Sequence, residues 1–233
     1  MLSVFHRQCK AFFHSWRFYG FMAGFFALLG ALMMIFHVSY QYSNVEYLLS
    51  YLTIVLALLL PILTSFIFKE ERKGSLARFL RSLPISARDV VLGKYLSLLS
   101  LLGAISFLLL LLPMLLGLWG EVYYPSAYMA VFGFLLFGVA MLSVDFFLAL
   151  CFQNHWVSLA VSYAVTLSLV AMGYLSSHLP EFLGIVVERV SMFGAFAPFV
   201  FGIVDLRSIG LYLSVSALFF VLTLLLSSKL WKE

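Results

Sequence analysis

Charged residues are scarce in this sequence. Asp, Glu, Lys and Arg make up 10% of its 233 residues, whereas hydrophobic residues make up 64%. A soluble domain carries about a quarter charged residues, because its surface must face water. So few charges cannot cover a water-facing surface, which excludes a large soluble helical core. Most of the surface is therefore predicted to face lipid.

Motifs for several kinds of chemistry are also missing. There is no G-x-x-x-x-G-K-[ST] phosphate loop, so the chain is not expected to bind ATP by that route. No Cys/His cluster has zinc spacing and no G-x-S-x-G elbow is present, so neither a metal site nor catalytic residues are predicted. No internal repeat is evident, which weakens a secondary transporter built from inverted halves. The two cysteines, Cys9 and Cys151, are expected to stay reduced.

Long apolar runs are abundant instead. A bilayer core about 30 Å thick is crossed by roughly 20 helical residues, each rising about 1.5 Å. Such runs are predicted to be helices, because backbone N–H and C=O groups inside lipid must be satisfied within their own segment. The fold is therefore predicted to be an all-α integral membrane protein, with a six-helix transmembrane domain over residues 18–233. The six runs are 18–38, 47–68, 90–118, 127–151, 157–176 and 208–228.

The basic residues predict the orientation of these spans. Twelve of the fourteen lie before the first span, around the connection between the second and third spans, or after the last span. Only Arg189 and Arg207 fall on the opposite side. Cytoplasmic connections carry the excess of Lys and Arg, so both termini are predicted to be cytoplasmic. The twelve are Arg7, Lys10, Arg17, Lys69, Arg72, Lys73, Arg78, Arg81, Arg88, Lys94, Lys229 and Lys232.

Residues 1–17 have the pattern of an amphipathic helix. Apolar and basic side chains separate onto different faces, which suits a helix lying among the headgroups of anionic lipids. The alternative is that the first span begins early and projects into the cytosol. The apolar face holds Leu2, Phe5, Cys9, Phe12, Phe13 and Trp16, and the basic face holds Arg7, Lys10, His14 and Arg17.

The connection between the second and third spans is the most informative stretch. Leu76, Phe79, Leu80 and Leu83 follow the i, i+3, i+4, i+7 spacing of one apolar helical stripe. Gly74 allows a turn before this helix, Pro84 ends it, and Ser86 with Asp89 forms a capping-box pattern for the third span. A short amphipathic helix of this kind could lie on the membrane or fill a groove on a cytosolic partner, and the pattern leaves both open.

Two further features concern the outer side and the membrane interior. Residues 177–207 are predicted to be external, and Met192–Gly202 is apolar but too short to span, so it is predicted to dip into the membrane and return. Tyr47 and Tyr51 are interpreted as interfacial anchors. Asp145 lies inside the fourth span, where a carboxylate must face protein or water. A structural ion pair with Lys94 or Arg17 is predicted, and a role in coupling or transport is the alternative.

The connection resembles the signature region of ABC transporter permeases of the ABC-2 type. The last span resembles that of short members similar to the gliding-motility and multidrug-export permeases, and haem-exporter B-subunit permeases are a nearby alternative. Many members have an acidic residue where this chain has Ala77 and Arg78. The residues that carry the resemblance are Glu70, Glu71, Lys73, Gly74, Ser75, Leu76, Leu80, Pro84, Val91, Leu92, Gly93 and Lys94.

This resemblance implies an exporter-permease architecture. Residues 69–83 would be a coupling helix that binds a cytosolic ABC ATPase, present in two copies. ATP and magnesium would be bound by that ATPase, and this chain would hold no cofactor. A second permease chain, identical or different, would complete a dimer in the bacterial inner membrane. Contacts with the ATPase would involve Glu70, Glu71, Lys73, Gly74, Ser75, Leu76, Phe79, Leu80, Leu83 and Pro84.

The predicted function is therefore export of a hydrophobic or amphipathic substrate, driven by ATP hydrolysis in a partner chain. The first, second and fifth spans would line the pathway, and residues 177–207 would gate its outer end. The alternatives are an ion-coupled secondary transporter or channel, or a membrane scaffold subunit that transports nothing. Membrane lipids are expected partners and nucleic acid is not.

Overall fold

The computed structural model describes residues 16–39, 45–69, 87–118, 122–152, 154–175 and 191–230, and every regular element in these ranges is helical. The interfacial helix predicted for residues 1–17 lies outside them except at its end, and so does most of the coupling helix predicted for residues 69–83. The elements are α1 (Trp16–Met33), a π-helical stretch (Met34–Ser39), α2 (Val45–Lys69), α3 (Ala87–Leu109), α4 (Leu112–Leu116), α5 (Tyr124–Cys151), α6 (His155–Leu175), a 3₁₀ turn (Gly194–Phe196), α7 (Ala197–Val200) and α8 (Leu206–Leu230).

Six helical segments in the described part of the chain are long and apolar enough to cross a bilayer. Each overlaps one of the predicted runs, so the six-helix membrane fold is confirmed. The described part of the third span begins with α3 at Ala87, and the predicted capping residue Ser86 lies outside the described residues. The segments are Phe18–Phe36, Val45–Phe68, Arg88–Leu116, Tyr124–Cys151, His155–Met172 and Leu206–Ser227.

The third span is not one continuous helix, which the apolar run did not indicate. α3 ends at Leu109, two residues form a turn, and α4 resumes the span at Leu112. Pro113 follows directly and has no N–H to donate to the preceding turn. Its ring also crowds that turn, so the helix breaks before it. α2 contains Pro61 without a break, and the Thr64 hydroxyl there donates to Leu60 O at 3.0 Å.

α5 is the central helix of the bundle. It packs against α2, α3, α6, α7 and α8, and 61% of the residues in its most apolar 18-residue stretch are buried. In α6 and in α8, 17% of the residues in the equivalent stretch are buried. α5 is apolar all around, as expected for a helix surrounded by others. Gly138 allows close packing, because a Cβ there would lie 3.1 Å from Leu56 Cδ2.

Contacts between different helices identify the two ends of the bundle. At one end, Phe68 of α2 contacts Phe146 of α5 at 5.0 Å, and Tyr95 of α3 contacts Phe220 of α8 at 4.7 Å, between ring centroids. At the other end, the Ser126 hydroxyl of α5 donates to the Glu46 carboxylate of α2. Connection 70–86 therefore joins the bundle at the first end. The short-helix segment, residues 191–202, is held nearer the second.

Candidate functional site

A cavity of about 460 Å³ lies between α2, α6 and the short-helix segment. None of its lining residues is charged. Several of its hydroxyls are already engaged within their own elements: Thr53 Oγ1 donates to Ser50 O at 2.6 Å, and Ser50 Oγ donates to Glu46 O at 3.1 Å. The wall thus offers mostly apolar surface with phenol rings at one side. The lining residues are Tyr47, Ser50, Tyr51, Thr53, Ile54, Val170, Ser191, Phe193, Gly194, Phe196, Ala197, Val200 and Phe201.

The short-helix segment is held on α5 by aromatic packing. Phe193 meets Phe137 of α5 edge-on, with ring centroids 5.0 Å apart. Phe199 is fully buried and lies over Gly133, where a Cβ would come within 2.6 Å of Phe199 Cγ. Only a glycine lets the ring approach the helix this closely. The segment is therefore seated in a notch on the central helix.

This segment reaches deep into the bundle. Phe137 is thirteen residues after Tyr124, the first residue of α5. At helical rise that separation is about 20 Å, or more than half of a bilayer core. Phe193 is thus placed near the middle of the bundle, whereas Gly202 returns to its end. A Cβ on Gly202 would lie 3.1 Å from Ser126 Cα, and its φ of 71° is one that glycine adopts without strain.

Two polar contacts tie the segment to α8. The Tyr212 hydroxyl donates to Met192 O at 2.7 Å, and Tyr212 is 1% exposed. Where the segment ends, Asp205 caps the start of α8. It accepts hydrogen bonds from Ser208 Oγ at 2.7 Å and from Arg207 N at 3.2 Å. The Ser208 hydroxyl, followed by the backbone N–H groups of Arg207 and Ser208, holds the pKa of Asp205 below its ordinary value.

Replacing Tyr212 with Phe is expected to destabilise the fold by about 1–3 kcal/mol, because it leaves the buried Met192 carbonyl without its donor. Thermal unfolding in detergent would measure the change. Tyr163→Phe is the matched control, since its hydroxyl also donates to a main-chain carbonyl, Leu58 O at 2.9 Å, but in an exposed position. Equal losses in the two variants would contradict the structural role assigned to Tyr212.

The opposite end of the bundle is where connection 70–86 attaches. Lys94, the last residue of the signature pattern, is 5% exposed. Its Nζ donates to Ile67 O at 3.5 Å and lies 4.6 Å from the centroid of the Phe68 ring. A cation at the C-terminal end of a helix is favoured there by the helix dipole. Lys94 thus joins the start of α3 to the last turn of α2, on both sides of the connection.

Asp145 faces protein, as predicted, and is 0% exposed. The predicted ion pair with Lys94 is not formed: neither carboxylate oxygen has a hydrogen-bond partner among the described residues, and the Lys94 ammonium is directed to the end of α2 instead. The physical reason is that the last carbonyl groups of α2 have no acceptor role within the helix, and the Lys94 ammonium donates to one of them, Ile67 O. The Arg17 side chain lies outside the described residues, so that pairing stays a prediction.

The family model for ABC-2 family transporter proteins matches residues 11–170, which is more than half of the chain. This chain belongs to the ABC-2 transporter family. No curated protein matches it. As an ABC-2 family member with six apolar spans, it is a multi-pass membrane transport subunit.

The cavity of this ABC-2 family chain was not predicted from its sequence. Tyr47 and Tyr51 were interpreted as interfacial anchors, and they line it. The only signal was their spacing, since residues four apart share one face of a helix. All ten predicted coupling residues lie outside the described part of the chain. These are Glu70, Glu71, Lys73, Gly74, Ser75, Leu76, Phe79, Leu80, Leu83 and Pro84.

Proposed function

We propose that this ABC-2 family chain is the permease subunit of an ATP-driven exporter whose ATPase is a separate cytosolic polypeptide. The substrate class is hydrophobic or amphipathic. The cavity supports this class, because it has no charged lining residue and its polar side chains all carry hydroxyl groups. A strongly charged solute would lose its hydration there without gaining a counter-charge.

The observation that carries the proposal is the course of α2. This single helix begins beside the cavity, where it contributes Tyr47 and Tyr51, and ends at Lys69, where connection 70–86 starts. Its 25 residues span about 37 Å at helical rise. A force applied to the connection therefore reaches the cavity through one rigid element.

In the proposed cycle, residues 69–83 form the coupling helix and bind one of two ATPase subunits. The ATPases bind ATP and magnesium, and their closure pushes the connection against the bundle. Lys94 and Phe68 transmit this displacement to α2, which moves its far end relative to the short-helix segment. The segment is then the outer gate, with residues 177–207 external, both termini cytoplasmic and residues 1–17 on the inner surface.

A second permease chain, identical or different, completes the proposed assembly in the bacterial inner membrane. The weakly buried helices α6 and α8 leave apolar surface for lipid and for that chain. This accounts for burial that is concentrated on α5 while the outer helices remain exposed within one chain.

A cysteine probe in the cavity tests the proposal. Cys9 and Cys151 would be replaced by serine and Ser50 by cysteine, since Ser50 lines the cavity. With the ATPase present, a non-hydrolysable ATP analogue is expected to change the rate at which a small thiol reagent modifies this cysteine by about tenfold, which corresponds to about 1.4 kcal/mol. The control is Trp156→Cys, because Trp156 is 72% exposed at the start of α6 and does not line the cavity.

The same preparation separates the alternatives. ATP-dependent movement of a hydrophobic dye across vesicles that contain both proteins supports the exporter. Dye movement by the chain alone, driven by an ion gradient, would identify a secondary transporter or channel. A complex that binds the ATPase but shows neither dye movement nor a change at the cavity cysteine would identify a scaffold subunit.

A further inference from the structure

Asp145 is the one fully buried acidic side chain among the described residues, at 0% exposure. Neither of its oxygens has a hydrogen-bond partner within the described part of the chain. Asp145 belongs to the central helix α5, so movement of the neighbouring helices relative to α5 would change the surroundings of its side chain. A polar group so placed calls for a physical explanation, since buried polar groups are nearly always hydrogen-bonded.

Asp145 lies on the buried part of α5, which packs against α2, α3 and α6. It follows Gly138 by seven residues and shares its face of α5, and Gly138 meets Leu56 of α2 and Leu102 of α3. The region where α2, α5 and α6 pack together is the junction. α6 packs on both α2 and α5, and its Tyr163 hydroxyl donates to Leu58 O of α2 at 2.9 Å. The same helix buries the hydroxyls of Ser158 and Thr166, which have no partner among the described residues either. The side of α6 that packs on α2 and α5 therefore carries buried hydroxyls whose hydrogen-bonding capacity is not used by any described residue.

The other titratable groups around this junction are occupied elsewhere. Lys94 Nζ donates to Ile67 O, and the Tyr95 hydroxyl pairs with Ser143 Oγ at 2.7 Å. The Tyr163 hydroxyl donates to Leu58 O, and the His155 ring packs against Phe66 with centroids 5.0 Å apart. Cys151 follows Asp145 by six residues on α5 and is exposed. None of these groups supplies a counter-charge to the carboxylate.

We propose that Asp145 is a proton-binding site that closes and opens with the junction. An ionised carboxylate without water or a cation is far more costly to bury than a neutral carboxyl group. Asp145 therefore carries its proton while the junction is closed. When α6 separates from α2 and α5, water enters, the O–H bond breaks, the proton passes to water, and the carboxylate that remains is hydrated.

The placement of Asp145 connects this site with the coupling end of the bundle. Its neighbour Phe146 contacts Phe68, one residue before the end of α2, and Tyr95 of α3. A displacement of connection 70–86 would press on these rings and so on the turn of α5 that holds Asp145. This link rests on the proposed function, whereas the protonation of Asp145 in the closed junction does not.

Infrared spectroscopy of the purified chain tests the protonation directly. A neutral carboxylic acid has a C=O band that an ionised carboxylate lacks, and ¹³C-labelled aspartate shifts that band. The chain has three aspartates, Asp89, Asp145 and Asp205, and the other two lie at the starts of α3 and α8. We expect a shifted acid band at neutral pH that Asp145→Asn removes and Asp205→Asn leaves in place.

Each outcome decides the proposal. Absence of the acid band from the folded wild-type chain would overturn it and would indicate an ion pair, with Arg17 or with another chain. Persistence of the band in Asp145→Asn would also overturn it. Because the isotope shift is read in the wild-type chain, a variant that fails to fold does not prevent a decision. None of these readings requires the ATPase, so the exporter proposal can fail independently.

A second measurement tests the coupling of the proton to opening. Ser158→Cys places a thiol at the junction, and its modification rate is compared between the wild-type and Asp145→Asn backgrounds at each pH. Dividing the rates removes the pH dependence of the thiol itself. Since the closed junction retains the proton, opening is favoured as pH rises, and the ratio is expected to increase by up to about tenfold per pH unit. A ratio that does not change with pH would exclude proton-linked opening.

Discussion

Gly133→Ala is expected to lift the short-helix segment from the central helix and to destabilise the fold by about 1–3 kcal/mol. The new Cβ would lie 2.6–2.9 Å from Cβ, Cγ and Cδ2 of Phe199, which are at the rigid base of the ring. Phe199 is fully buried, so it has no free space to move into without shifting α7. Thermal unfolding measures the loss, and the modification rate of the cavity cysteine in Ser50→Cys reports the shift of the segment.

The control for this variant is Gly103→Ala, in α3. A Cβ at position 103 meets no atom within 4 Å. This change should leave stability unchanged or raise it by up to about 1 kcal/mol, because alanine has the higher helix propensity. Removing Cγ and Cδ2 of residue 199 should relieve most of the clash, so Phe199→Ala is expected to cost less in the Gly133→Ala background than alone. Additive costs would show that the two side chains do not meet as described.

Leu80→Asp is expected to release the ATPase, with co-purification reduced at least about tenfold. Leu80 belongs to the apolar stripe of the proposed coupling helix together with Leu76, Phe79 and Leu83. If that stripe fills a groove on the ATPase, the substitution buries an unpaired carboxylate at the interface, which costs well over the 1.4 kcal/mol that a tenfold change requires. The measurement is the ratio of ATPase to permease after affinity purification from membranes.

Ser82→Asp adds the same charge to the same helix and is the matched control. Position 82 falls off the apolar stripe in a helix of 3.6 residues per turn. It should leave ATPase binding nearly unchanged. If both variants retain the ATPase, the stripe lies on the membrane instead, and the coupling role assigned to residues 69–83 is wrong. If both variants release the ATPase, the ATPase contacts the polar side of the helix as well as the stripe, and a groove that holds only the stripe is wrong.

How much the sequence could predict differs between the spans and the sites. The six spans follow from composition, because lipid leaves an apolar run no alternative to a helix. The break in the third span at Leu110 and Leu111 was not predicted, because hydropathy values do not reflect the backbone N–H that Pro113 lacks. Asp145 was correctly expected to face protein. That Lys94 does not pair with it could not be predicted, because only packing directs the Lys94 ammonium to Ile67 O at the end of α2.

The amino-acid sequence alone determined the six apolar runs, each matched by a helix in the described part of the chain, and the amphipathic stripe of one basic connection. Those properties depend on the transfer of short segments between water and lipid, which neighbouring residues decide. Only the tertiary structure placed Phe199 in the notch at Gly133, opened a cavity beside Tyr51 and left Asp145 without a partner among the described residues. These depend on which helix faces meet, and contacts between residues distant in the chain leave no periodic signal in either segment.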